Sequence, residues 1–248
     1  VWQDNSNNQN RIEARLFGSQ GNALSPDLLL SGASLDAQDP AISINQETGD
    51  FVTVWADDAN QNGLYEIKMH SFSSVGTEII PITIVNTNST GQQMNPSVAV
   101  NTSGKFVVVW QDDSDNNNFF NINLRGFDAA GVEIITERTV NNYLSGDQKF
   151  PVVAMNGNGS FVVSWQGPQI PTTQNQGTAA DPEDIFARAF NPNGSPINAV
   201  DITLSRVSTG TQSAPDISID GNNHYIVVSE DDRDGNKYRQ IIAVGKIF

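Results

Sequence analysis

The sequence predicts an all-β fold, a β-propeller of about five four-stranded blades, and three observations carry that prediction. One strand-like stretch recurs, as Phe51-Val52-Thr53-Val54-Trp55-Ala56-Asp57, Phe106-Val107-Val108-Val109-Trp110-Gln111-Asp112 and Phe161-Val162-Val163-Ser164-Trp165-Gln166. It opens the chain as Val1-Trp2-Gln3-Asp4 and returns without its tryptophan as Tyr225-Ile226-Val227-Val228-Ser229-Glu230-Asp231. The four tryptophans, Trp2, Trp55, Trp110 and Trp165, stand 53, 55 and 55 residues apart, a period in the range of repeat architectures. Helical periodicity is absent throughout, and short β-branched runs alternate with turns rich in Asn and Gly.

Each repeat divides into four segments. The first follows a Gln-x-x-Pro signal, at Pro96, Pro151 and Pro215, with Gln38-Asp39-Pro40 one residue shorter. Short alternating strands follow, among them Ser97-Val98-Ala99-Val100, and Pro is acceptable at a strand's first position. Ser43, Ala99, Ala154 and Ser218 share one face there, and small side chains allow close packing where sheets converge. An Asn/Gly turn leads into the Phe-Val-Val-x-Trp strand, so the first two segments form a hairpin. The third segment is Ile-x-x-Arg-x-Phe, from Ile12, Ile122 and Ile185, with His70 in place of Arg in the copy at Ile67. Tight reversals at Gly21, Gly76, Gly131 and Gly194 need positive φ and lead to a weaker fourth strand. The repeats fall at about 1–39, 40–95, 96–150, 151–214 and 215–248, the first and last incomplete, so the expected chain is a single propeller domain of 18 strands. The chain opens inside a second strand without an initiator Met, which reads as a processed or partial chain. The alternative is an array of small β-sandwich modules, for which about 55 residues per repeat is short.

With 13 basic and 28 acidic side chains the formal charge is −15. That speaks against nucleic acid, which needs clustered Lys and Arg. No Cys is present, excluding disulfides and thiolate metal sites. No apolar run reaches membrane-span length, so no membrane insertion is expected.

The pattern Pro-x-Val-Ala-Val, Phe-Val-Val-Val-Trp-Gln-Asp, Ile-x-x-Arg-x-Phe-Asp-x-x-Gly resembles repeats of very large secreted or surface bacterial proteins that often carry calcium-binding nonapeptide arrays. The resemblance spans essentially the whole chain. It implies an extracellular or cell-surface location and a propeller-like repeat. No Gly-Gly-x-Gly-x-Asp array occurs here, so that type of calcium site transfers to no residue.

Acidic loops follow the tryptophan strands. Asp57, Asp58, Asp112, Asp113, Asp115, Asp231, Asp232 and Asp234 are the candidate metal ligands, because calcium wants six to eight oxygens and such loops supply several. The competing reading is that Asp and Asn cap turns through their own backbone. Arg15, Arg125 and Arg188 form either a ring of anion or glycan contacts or a set of arginines held against neighbouring carboxylates, and repetition favours the second. No nucleophile elbow, His-Glu-x-x-His or phosphate loop is present. Two places break the repeat: an insertion between Gly167 and Glu183, and Ser229 with Glu230 where Trp and Gln or Ala stand elsewhere. The latter either opens a pocket or marks an atypical terminal repeat.

These residues lead to a secreted or surface binding or adhesion module for a glycan or a surface protein, with calcium in its loops. The first alternative is a polysaccharide-acting enzyme using a singular cluster of Glu230, Asp231, Asp232 and His224. The second is a structural subunit that self-associates through terminal strand edges.

Overall fold

A computed structural model describes residues 1–6, 9–32, 34, 36–168, 183–205, 210–232 and 240–247. Among them lie five antiparallel sheets and no helix. The first sheet holds β1 (Trp2–Asp4), β2 (Arg11–Ala14) and β3 (Leu28–Leu29). The second holds β4 (Ala37–Ile44), β5 (Phe51–Asp57), β6 (Glu66–Phe72) and β7 (Glu78–Ile84), and the third β8 (Gln93–Val100), β9 (Phe106–Asp112), β10 (Asn121–Phe127) and β11 (Glu133–Thr139). The fourth is β12 (Lys149–Met155), β13 (Phe161–Pro168), β14 (Glu183–Phe190) and β15 (Ile202–Thr203), and the fifth β16 (Gln212–Ile219), β17 (His224–Asp231) and β18 (Gln240–Ile247). Strands pair in chain order within every sheet. The leading strands β4, β8, β12 and β16 pack on one another from sheet to sheet, which makes them the innermost strands of a five-bladed β-propeller. The predicted fold, strand number and hairpins are observed, and Gly21, Gly76, Gly131 and Gly194 have φ of 76°, 84°, 81° and 78°.

Four hydrophobic cores lie between successive sheets. Trp55 joins Ile12 and Leu30 of the preceding sheet, Trp110 joins Ile67 and Val85, and Trp165 joins Ile122 and Val140. The fourth core sets Tyr225 and Val227 against Ile185 and Leu204. Because each inner sheet is covered on both faces, β5 and β9 are buried at every residue. That is why these strands read as continuous apolar runs. The outer strands β7 and β11 meet solvent and are mostly exposed.

The repeated Arg/His position joins the sheets. Arg125 Nη1 donates to Val85 O and Arg188 Nη1 to Val140 O, each at 2.6 Å, and His70 Nδ1 bonds Leu30 O at 3.0 Å. Arg125 also pairs with Glu133 and His70 with Glu78. Each acceptor is a backbone carbonyl of the previous sheet, so three of these four side chains are clasps between blades; Arg15 pairs with Asp27 within its own sheet.

The end faces differ from the inner ones. Trp2 is 37% exposed and Phe17 59%, whereas Trp55, Trp110 and Trp165 are fully buried. On the fifth sheet Ile226 and Ile241 are 53% and 73% exposed, while their counterparts Val107 and Ile122 are at 1% and 0%. Trp110→Ala should therefore cost about 3–5 kcal/mol and Trp2→Ala about 1 kcal/mol or less. Urea unfolding of the two variants checks this, and equal losses would contradict the assignment of the cores.

Candidate functional site

The strands β5, β9 and β17 each run from an Asn/Gly or Asp/Gly turn to an acidic end, so the repeat collects carboxylates on one rim; β13 ends instead in Gln166-Gly167-Pro168. The opposite rim is made of self-capping turns: Asn101 Oδ1 accepts from Ser103 N and Lys105 N, and Asp220 Oδ1 from Asn222 N and His224 N. His224 belongs there, its Nδ1 2.8 Å from Asp220. It thus starts the eight-residue strand that Asp231 ends, roughly 23 Å away at strand rise. The expected cluster of His224 with Glu230, Asp231 and Asp232 is not assembled. Glu230 and Asp231, being adjacent in one strand, also point to opposite faces. Ser213 Oγ donates to Glu230, and Asp232 accepts from Thr211 N.

The acidic loops hold themselves together. Asp57 accepts from the Trp55 indole at 2.8 Å, from Ser34 Oγ and from Lys68 Nζ. Asp58 caps Asn62 N and Gly63 N. Asp112 takes the Trp110 indole at 3.0 Å and Ser114 N, and Asp115 takes Asn117 N. Asp113 Oδ1 is buried without a hydrogen-bond partner. Burial, and then the charges of Asp115, Asp112 and Asp147, push its carboxyl above the usual range against one backbone N–H from Asn118. Asp231 forms part of a cavity wall, and Asp234 lies outside the described residues, as does most of the insertion after Pro168. Among the described residues no three His, Asp or Glu side chains converge to hold a metal ion.

What singles out one part of this rim is the bulge in each innermost strand. The residue before proline has positive φ in all four: Asp39 53°, Asn95 50°, Phe150 52° and Ala214 51°, with a register shift at each. Four non-glycine residues in the left-handed region require support from neighbours. Gln111 Oε1 accepts from Phe150 N at 2.8 Å and Gln166 Oε1 from Ala214 N at 3.1 Å, each reaching from one sheet to the next. The second sheet has Ala56 at this position, and the Asp39 carboxylate instead accepts the Asn95 N–H.

Asp39 is the one titratable side chain among the four bulge residues. Burial raises its carboxyl above the ordinary Asp value, partly offset by the Asn95 N–H. Asp36, three residues earlier, accepts from Tyr65 Oη at 2.8 Å and from Asn10 Nδ2 at 2.9 Å. Burial, the Asp36 hydrogen bond and the charges of Asp36, Asp58 and Asp39 push the Tyr65 phenol up to about 12. Asp36, Asp39 and Tyr65 are thus a singular polar group on a repeated frame, which sequence reasoning missed. The expected one-residue shortening before Pro40 is not present, since Ala37 pairs with Asp57 as Gln93 pairs with Asp112. The signals were an aspartate before proline where the other copies carry Asn95, Phe150 and Ala214, and a tyrosine where other repeats carry Asn10, Phe120 and Glu183.

No family model and no curated protein matches the chain. Solved structures do. The chain is similar to an α-L-arabinanase of Penicillium chrysogenum complexed with arabinobiose (TM-score 0.55, 15% identity, covering 97% of this chain and 79% of that one). It is similar also to an α-L-arabinofuranosidase of Fusarium graminearum with arabinobiose (TM-score 0.58, 11% identity, 95% and 72% covered). An endo-arabinase of Bacteroides thetaiotaomicron aligns at TM-score 0.52 and 10% identity, covering 99% and 88%. At these identities the likeness establishes the propeller fold.

The raised Tyr65 phenol gives a signed expectation. The unfolded chain releases this proton near pH 10 and the folded one near 12, so its contribution is complete below pH 10 and is lost as pH rises through 12. Tyr65→Phe should remove that alkaline fall in stability, and Asp36→Asn should bring the phenolate absorbance transition to lower pH. A transition unmoved by Asp36→Asn would separate the two groups.

Proposed function

We propose that the chain is a polysaccharide-acting propeller whose working groups are Asp39 and Asp36 at the acidic rim. The observation that carries this is Asp39: a half-buried carboxyl with raised proton affinity, held on an innermost strand by a left-handed bulge. Glycoside hydrolysis uses two carboxyl groups, one protonated at working pH and one able to accept a proton. Asp39 would protonate the glycosidic oxygen as the C–O bond breaks, water would attack the anomeric carbon, and Asp36 would take the water's proton. The likeness to structures named for arabinan-cleaving enzymes supports a glycan partner and favours this reading over an adhesion module.

Release of reducing ends from arabinan and a panel of other polysaccharides tests it. Asp39→Asn should cut turnover by about 10²–10⁴-fold while leaving the melting temperature equal or higher, because a buried carboxyl is removed. Binding of a polysaccharide without cleavage by the wild type would move the reading to a glycan-binding module. Wild-type cleavage unaffected by Asp39→Asn would move the chemistry elsewhere.

An extracellular location, calcium in the acidic loops and self-association belong to the same proposal, the last supported by the exposed Trp2, Phe17, Ile226 and Ile241. A melt in EDTA and again in millimolar calcium, with sedimentation in both buffers, reports on the ion and the assembly. An upward shift in calcium assigns the ion to the native state; equal melts leave the carboxylates as turn caps. A monomer at high concentration in both buffers removes self-association.

A further inference from the structure

The fifth sheet lacks the tryptophan that fills each of the other sheet interfaces, and the space is still there. In the first three interfaces one isoleucine and one aliphatic residue of the preceding sheet receive an indole: Ile12 and Leu30 receive Trp55, Ile67 and Val85 receive Trp110, Ile122 and Val140 receive Trp165. In the fourth, Ile185 and Leu204 hold the same places, and Ser229 stands where the indole would be. The frame around them is preserved. Ile185 N donates to Ser205 Oγ at 2.8 Å, just as Ile67 N donates to Asn86 and Ile122 N to Asn141. What results is a part-open cavity of about 230 Å³ lined by Ile185, Leu204, Val227, Ser229, Gln212 and Asp231.

The polar side of the cavity is also inherited from the repeat. Elsewhere the indole N–H donates to Asp57 at 2.8 Å, to Asp112 at 3.0 Å or to Gln148 Oε1 at 2.9 Å. Asp231 occupies the position of Asp57 and Asp112, and Gln212 stands at the equivalent of the strand opening beside Gln148. Asp231 and Gln212 both lie on the cavity wall, within hydrogen-bonding reach of one another.

We propose that this cavity is a binding site for a flat bicyclic aromatic ligand carrying an N–H donor, the indole class. Apolar walls with a single directed acceptor set are what such a ligand needs. The volume exceeds the roughly 150 Å³ at which an engineered apolar cavity takes up benzene. The site is separate from Asp36 and Asp39, and its test does not depend on hydrolysis.

Indole itself is the probe, by calorimetric titration and by thermal melt of the full chain. The wild type should bind one indole and its melting temperature should rise by several degrees at saturation. Naphthalene, with the same shape and no N–H, should bind about tenfold more weakly. Ser229→Trp should abolish indole binding and melt higher than the wild type. Should that variant fail to fold, Ser229→Leu, which fills part of the space, should weaken indole at least tenfold, and Ser229→Ala should leave it unchanged. A wild-type melt unmoved by indole, or indole bound equally by the Trp or Leu variant and the wild type, would overturn the assignment.

Discussion

Everything in this molecule depends on one packing unit, an indole laid between two sheets. A sheet whose two faces are both apolar must be covered on both, and Trp55, Trp110 and Trp165 do so by reaching into the sheet before their own. An aromatic side chain of this size removes about 150–250 Å² from water, on the order of 5 kcal/mol as an upper figure. The single indole N–H would be costly if buried unpaired, and the acceptor at the acidic end of the same interface meets it. Burial and hydrogen bonding thus fix the same side chain: Asp57 and Asp112 are first of all partners of the indoles before them, and Gln148 takes that part for Trp165.

That arrangement explains why one rim is acidic and why its most distinctive chemistry is local. The carboxylates at the strand ends are occupied by indoles, turn amides and Lys68. Room for a different role exists only where the pattern slips. In the second sheet Ala56 cannot make the link that Gln111 and Gln166 make, and the carboxylate of the bulge residue Asp39 takes the Asn95 N–H in its place. Deviation from the repeat at Ser229 works the same way in the opposite sense, by leaving out volume.

The fold was legible because its cause is periodic. Trp spacing, Gln-x-x-Pro openings and positive-φ glycines each recur, and each corresponds to one constraint repeated in most of the blades. The clasp at Arg125, Arg188 and His70 was legible as structural for the same reason, though its acceptors, main-chain carbonyls about 40 to 48 residues earlier, leave no trace in side-chain pattern. The site was less legible. The break of the repeat at Ser229 and Glu230 pointed to Glu230 and Asp231, but strand alternation sends them to opposite faces, and His224 sits at the far rim. Tyr65 and Asp36 meet across 29 residues, a distance at which sequence alone gives no pairing.

The unlike faces of each sheet give the array a direction. The face toward the preceding sheet bears the bulky ring and the clasp; the opposite face bears small aliphatic residues and the receiving carbonyl. Such a surface accepts a copy of its predecessor and rejects a mirror arrangement. In evolutionary terms, whole blades are the units that can be duplicated or lost with the interfaces intact. A one-residue slip within a central strand exchanges ring and aliphatic faces and has no neighbour to fit.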